Sequence, residues 1–250
     1  MIFDAVKTKA AYQRFWLKSL LERAYEPSKP MGKIAQAAIA DTAVAWLLGF
    51  HQQVAPVLPK ALDWLDKALA SDEVLDTDPN YYRFRLAWAR ALGIWMRDGI
   101  AQNAAWLSVC DYSRSSVVGS GFAEAAIATD RLDDEMAACY LAGSYESGIE
   151  EFEKYWGKQS LALTKMLAPR ELGYALCLHK SRGELDRESL LAAGHQMLRA
   201  NLEERWFGAG QATRAATWLA VVFSLCEPPL TPIETLLRAY DDMPRVGRPD

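Results

Sequence analysis

The chain has 250 residues, of which 51% are hydrophobic and 24% charged, with a net charge of −4. That length allows one large domain or two small ones, with room for a substantial core. The acidic balance argues against a general nucleic-acid binder and against a protein held on anionic membranes. No apolar run approaches the ~18 residues of a membrane span. The opening residues Met1-Ile2-Phe3-Asp4-Ala5-Val6-Lys7 lack the basic and apolar segments of a signal peptide. The four cysteines, Cys110, Cys139, Cys177 and Cys226, form no Cys-x-x-Cys pair. They read as buried free thiols in a reducing compartment. Together these features lead us to expect a cytoplasmic protein.

Taken in order, nearly every segment has helical period. A first helix is expected over 3–25, with Phe15, Leu17, Leu20 and Leu21 among its apolar positions, ended by Pro27 and Pro30. A second runs over 31–54, closing with Trp46, Leu47, Leu48 and Phe50. Pro56 and Pro59 punctuate, and a third carries Leu62, Leu65 and Leu69. The acidic stretch 71–78 reads as a loop. Asp78-Pro79 then opens a helix, with Asp as cap and Pro in the first turn. This helix carries Phe84, Trp88, Leu92 and Trp95 and stops at Gly99. Residues 100–112 form its return partner.

The stretch 113–121 has the weakest helical character and reads as a functional loop or domain boundary. Helices then resume. Met136, Ala137, Tyr140 and Leu141 share one face, and Ile149, Phe152 and Trp156 share another. Ser147 with Glu150 forms a capping box. Ala168-Pro169-Arg170-Glu171 opens another helix, whose last turn holds His179 and Lys180 before Gly183. Further helices carry Leu190, Leu191, Met197, Leu198 and Leu202, then Ala215, Trp218, Leu219, Val222 and Phe223 after a break at Gly208-Ala209-Gly210. Thr231-Pro232-Ile233-Glu234 opens a last helix to about residue 242. The fold class is all-α: an array or bundle of antiparallel helical hairpins. It reads as a single domain over 1–250, with a candidate subdivision near 113–121 into helices of 1–112 and a hairpin array of 122–243. Most of the nine tryptophans are expected in the core.

Gly99, Gly143 and Gly183 fall 44 and 40 residues apart, about the length of a two-helix hairpin with its turns. Between the last two, Gly143, Tyr145, Glu146, Ile149, Phe152, Glu153 and Lys154 resemble the inter-helix turn and second helix of a tetratricopeptide repeat. Gly148 stands where that motif usually has Ala, and its following Pro is absent. The resemblance covers about 20 residues and implies a divergent tetratricopeptide-like array, built to hold other proteins.

Motifs for chemistry are missing. His51, His179 and His195 form no His-x-x-x-His or Glu-x-x-His pair, so no metal is expected. In Asp133-Asp134-Glu135-Met136-Ala137 the Ala occupies the final position of an Asp-Asp-x-x-Asp motif. The serines of 113–120 lack a Gly-x-Ser-x-Gly frame, and Gly119 and Gly121 precede no Gly-Lys-Ser/Thr. No cofactor is expected. What stands out is acidic: Asp130, Asp133, Asp134 and Glu135 before one hairpin turn, Glu150, Glu151 and Glu153 after it. Each set suits a solvated helix start, and together they make a candidate partner-binding surface. Glu203 and Glu204 before Arg205-Trp206-Phe207 suit either an interface or core packing.

Three classes of function stay open. In outline, the length, the Trp-rich hairpins and the turn Tyr140-Leu141-Ala142-Gly143-Ser144-Tyr145-Glu146 resemble the larger helical immunity proteins that bacteria make against polymorphic toxins. That resemblance implies a protein that binds a cognate toxin and occludes its active site. The acidic residues would then face a basic, nucleic-acid-degrading toxin. The alternative is a helical-repeat adaptor or regulator that binds a partner protein or peptide. The third is an all-helical enzyme with a site of no familiar motif.

Overall fold

The computed structural model describes residues 31–47, 50–71, 79–115, 122–161, 163, 167–202 and 209–226, less the side chains at 44, 47, 122–130, 202 and 209–212. Among the described residues there are ten helices and no strand. They are α1 (Met31–Leu47), α2 (His51–Val54), α3 (Val57–Ala70), α4 (Pro79–Asp98), α5 (Ala105–Ser115), α6 (Phe122–Ala142), α7 (Tyr145–Trp156), α8 (Pro169–Arg182), α9 (Arg187–Leu202) and α10 (Ala209–Leu225). The helices expected over 3–25 and after Thr231, and the stretches 116–121 and 203–208, lie outside the described residues.

Helix ends follow their local chemistry. Gly99, Gly143 and Gly183 all take positive φ, between 68° and 75°, which glycine adopts without a Cβ clash. At the start of α8, Glu171 reaches back so that its Oε2 accepts the Ala168 N–H at 2.7 Å. Asp186 accepts the Ser189 N–H at 2.8 Å and so caps α9.

Three boundaries differ from the sequence reading. The helix expected over 31–54 is two helices, α1 and α2, with His51 Nε2 bonded to the Trp46 carbonyl at 2.9 Å across the break. Ser113, Arg114 and Ser115 close α5 instead of opening a loop. Helix α7 starts at Tyr145, so Ser147 and Glu150 lie inside it and form no capping box. Ser147 Oγ instead accepts a bond from Arg114.

Successive helices pack as antiparallel pairs: α1 with α3, α3 with α4, α4 with α5, α5 with α6, α6 with α7, α9 with α10. Helix α8 lies against both α7 and α6. The stack is closed by α10, which touches α1, α4, α6 and α9. Two polar ties, two turns apart on one face, fix α10 to its neighbours. Trp88 Nε1 of α4 donates to Thr217 Oγ1 at 3.0 Å, and Ser224 Oγ bonds Tyr140 Oη of α6 at 3.0 Å. Burial pushes the Tyr140 phenol up to about 12, partly offset by that bond, so it stays neutral.

One hydrophobic cluster runs from Ala35 to Leu225. Trp46, Trp95, Trp106 and Trp218 are buried within it, and Trp46 meets Trp95 edge-on at 4.6 Å between ring centres. Gly148, where the repeat motif has Ala, has a packing reason. A Cβ there would sit 2.9 Å from Cys139 Cβ and 3.2 Å from Cys177 Sγ.

Candidate functional site

The acidic residues singled out in the sequence fall into three settings. The first is the core. Glu135 of α6 has no exposed surface. Its carboxylate accepts Ser113 Oγ at 2.7 Å and Arg114 Nε at 2.7 Å, with Arg131 Nε 3.6 Å away. Glu135 is therefore removed from any partner-binding surface: it is the anion of a buried network. Arg131 is itself only 8% exposed. It donates to the Ser113 carbonyl at 3.1 Å and to Glu151 Oε1 at 2.6 Å. Burial raises the Glu135 carboxyl above its ordinary range, opposed by Ser113, Arg114 and Arg131. This network joins α5, α6 and α7.

The second setting is the α7–α8 seam. Glu153 Oε1 accepts the Tyr174 hydroxyl at 2.8 Å and stands 4.0 Å from Arg182 Nη1. Desolvation and this carboxylate push the Tyr174 phenol up to about 12. Tyr174 in turn stacks on Phe152, 4.2 Å between centres. Glu151 and Glu153 are thus engaged inside the protein, whereas Glu150 is exposed on the outer face of α7. The Asp130 side chain lies outside the described ones.

The third setting is a cleft. Asp133 and Asp134 line a cavity of about 420 Å³, closed by Leu167, Ala168 and Pro169 before and at the start of α8, Met197, Ala200 and Asn201 of α9, and Arg214 and Trp218 of α10. Asp133 is held in place. Its Oδ1 accepts both the Arg170 backbone N–H at 3.1 Å and Arg170 Nη1 at 2.9 Å. The Arg170 guanidinium also lies 5.2 Å from the centre of the Trp156 ring. Asp134 pairs more loosely, 3.5 Å from Arg214 Nε, and the Arg214 side chain is 51% exposed. A long contact to a half-exposed arginine is worth little in water.

Chemically, the cleft offers two carboxylates beside an apolar wall of Trp218, Met197 and Leu167. That combination suits a cation on an apolar stem: the stem lies on the wall and the charge reaches the acid. Among the described residues, no His, Cys or Ser lines it. Among the described residues, no three His, Cys, Asp or Glu side chains are grouped so as to hold a metal ion. None of the described helices is long and apolar enough to cross a membrane. Sequence spacing marked Asp133 and Asp134 but missed Arg170, Arg214, Met197 and Trp218, which come from three other helices and share no motif. The chain matches no protein-family profile, no curated protein and no solved structure.

Proposed function

We propose that this chain acts by binding another protein, and that its cleft receives a lysine or arginine side chain of that partner. The observation that supports this most is the cleft itself: the carboxylates of Asp133 and Asp134 stand beside an apolar wall of Leu167, Met197 and Trp218. An arriving guanidinium or ammonium gains a desolvated carboxylate. Exposed Glu150 adds negative charge on the outer face of α7, which speeds encounter with a basic surface.

In its sharper form, the partner is a bacterial toxin domain that the chain neutralises by occlusion in the cytoplasm, as the outline resemblance to helical immunity proteins implies. The second reading is a tetratricopeptide-like adaptor that takes a partner peptide. What favours it is the packing of α8 on both members of the α6–α7 hairpin, the arrangement of consecutive helical repeats.

Co-expression with the product of the neighbouring gene distinguishes them. If that product is toxic, the immunity reading predicts that this chain restores growth and co-purifies with it. Toxicity without rescue and without a complex would remove the immunity reading and leave the adaptor.

A further inference from the structure

We propose that Cys110 and Cys139 form an oxidisable pair, which hydrogen peroxide converts into a disulfide joining α5 to α6. The two residues are 29 positions apart in sequence, and their sulfurs lie 3.3 Å apart in the core. Both are buried, at 2% and 0% exposure. Closing to a disulfide bond of about 2.05 Å needs a shortening of about 1.3 Å, shared between two side chains.

The surroundings set the direction of reaction. Arg114 Nη2 donates to Cys139 Sγ at 3.2 Å. A guanidinium therefore faces the sulfur that acts as the nucleophile. Cys110 stays a thiol, because its hydrogen bond with Cys139 and its burial both hold its proton on. Cys139 sulfur attacks the peroxide O–O bond and becomes a sulfenic acid, releasing one water. Cys110 sulfur then attacks Cys139 sulfur, the S–S bond forms, and a second water leaves. Overall, one peroxide takes two electrons and two protons from two thiols. Helix α6 also carries Asp133 and Asp134, so the cross-link forms on the helix that supplies both cleft carboxylates.

The test uses the full native chain treated with hydrogen peroxide, blocked with an alkylating reagent and digested. The expected result is a mass loss of about 2 Da, two hydrogens, with the Cys110 and Cys139 peptides linked to each other. In Cys110→Ser the loss should vanish, and Cys139 should become trappable by dimedone as the sulfenic acid. The proposal is overturned if the peroxide-treated protein keeps both thiols, or if Cys139 links to Cys177 or Cys226 instead.

Discussion

Replacing Glu135 by alanine is expected to destabilise the fold by about 3–5 kcal/mol, read as a drop in the urea midpoint with the unfolding slope unchanged. The substitution leaves Arg131, 8% exposed, and Arg114 without the carboxylate that both face. It also strands the Ser113 hydroxyl, which is fully buried. Glu135→Gln should lose less, because an amide oxygen still accepts one of these bonds. The two variants separate charge from shape.

A pH series adds a second check on the same residue. Burial raises the Glu135 carboxyl above its ordinary 4.5. The folded state therefore binds this proton more tightly than the unfolded state. Its contribution to stability is full below about pH 4.5 and declines as pH rises through the higher folded value. The stability of wild type relative to Glu135→Gln should fall as pH increases over that window. A difference that rises with pH would show that the arginines outweigh burial. Burying the carboxylate is itself unfavourable, yet deleting it is worse, because the arginines stay behind.

Gly173→Ala should also destabilise, by about 1–3 kcal/mol, although helix propensity alone predicts a gain of about 1 kcal/mol. A Cβ at Gly173 of α8 would sit 2.4 Å from Met136 Cβ and 2.8 Å from the Met136 carbonyl carbon of α6. Backbone cannot yield as a side-chain end can, so α6 and α8 must separate. Gly173→Val should be worse still. Gly93→Ala is the control. There the neighbours are Leu62 Cδ2 at 2.8 Å and Ile39 Cδ1 at 2.9 Å, both ends of flexible side chains. Thermal unfolding of the two alanine variants should rank Gly173→Ala well below Gly93→Ala. Equal melting temperatures would mean that α6 and α8 are not held at this spacing.

What the sequence made legible was local. The helix start at Pro79, the cap at Ala168, the glycine stops at 99, 143 and 183, and the apolar stripes of α4, α6 and α7 depend on neighbours a few residues away. The all-α class follows from them. What the sequence hid was convergence. Ser113, Arg114, Arg131, Glu135 and Glu151 come from three helices, and each taken alone looks like an ordinary polar position. Glu135 read as surface because it stands among acids, and only packing shows which member of the run turns inward. The cleft was half visible, through Asp133 and Asp134. Its apolar wall was not, because Met197 and Trp218 are indistinguishable by spacing from the core positions beside them. The closure by α10 against α1 was likewise beyond reach: no local signal says which distant helix a C-terminal apolar stripe will meet.

The central claim is that a partner protein places a cation against Asp134. The most direct measurement is calorimetric titration of the full chain with the neighbouring gene product, for wild type and for Asp134→Asn. Asn keeps the shape and an oxygen acceptor facing the half-exposed Arg214, so folding should be little changed. The account predicts a tight wild-type complex that Asp134→Asn weakens by about thirtyfold or more, at an unchanged melting temperature. Equal affinities would contradict the cleft as the binding site, and no binding by wild type would contradict the proposed partner itself.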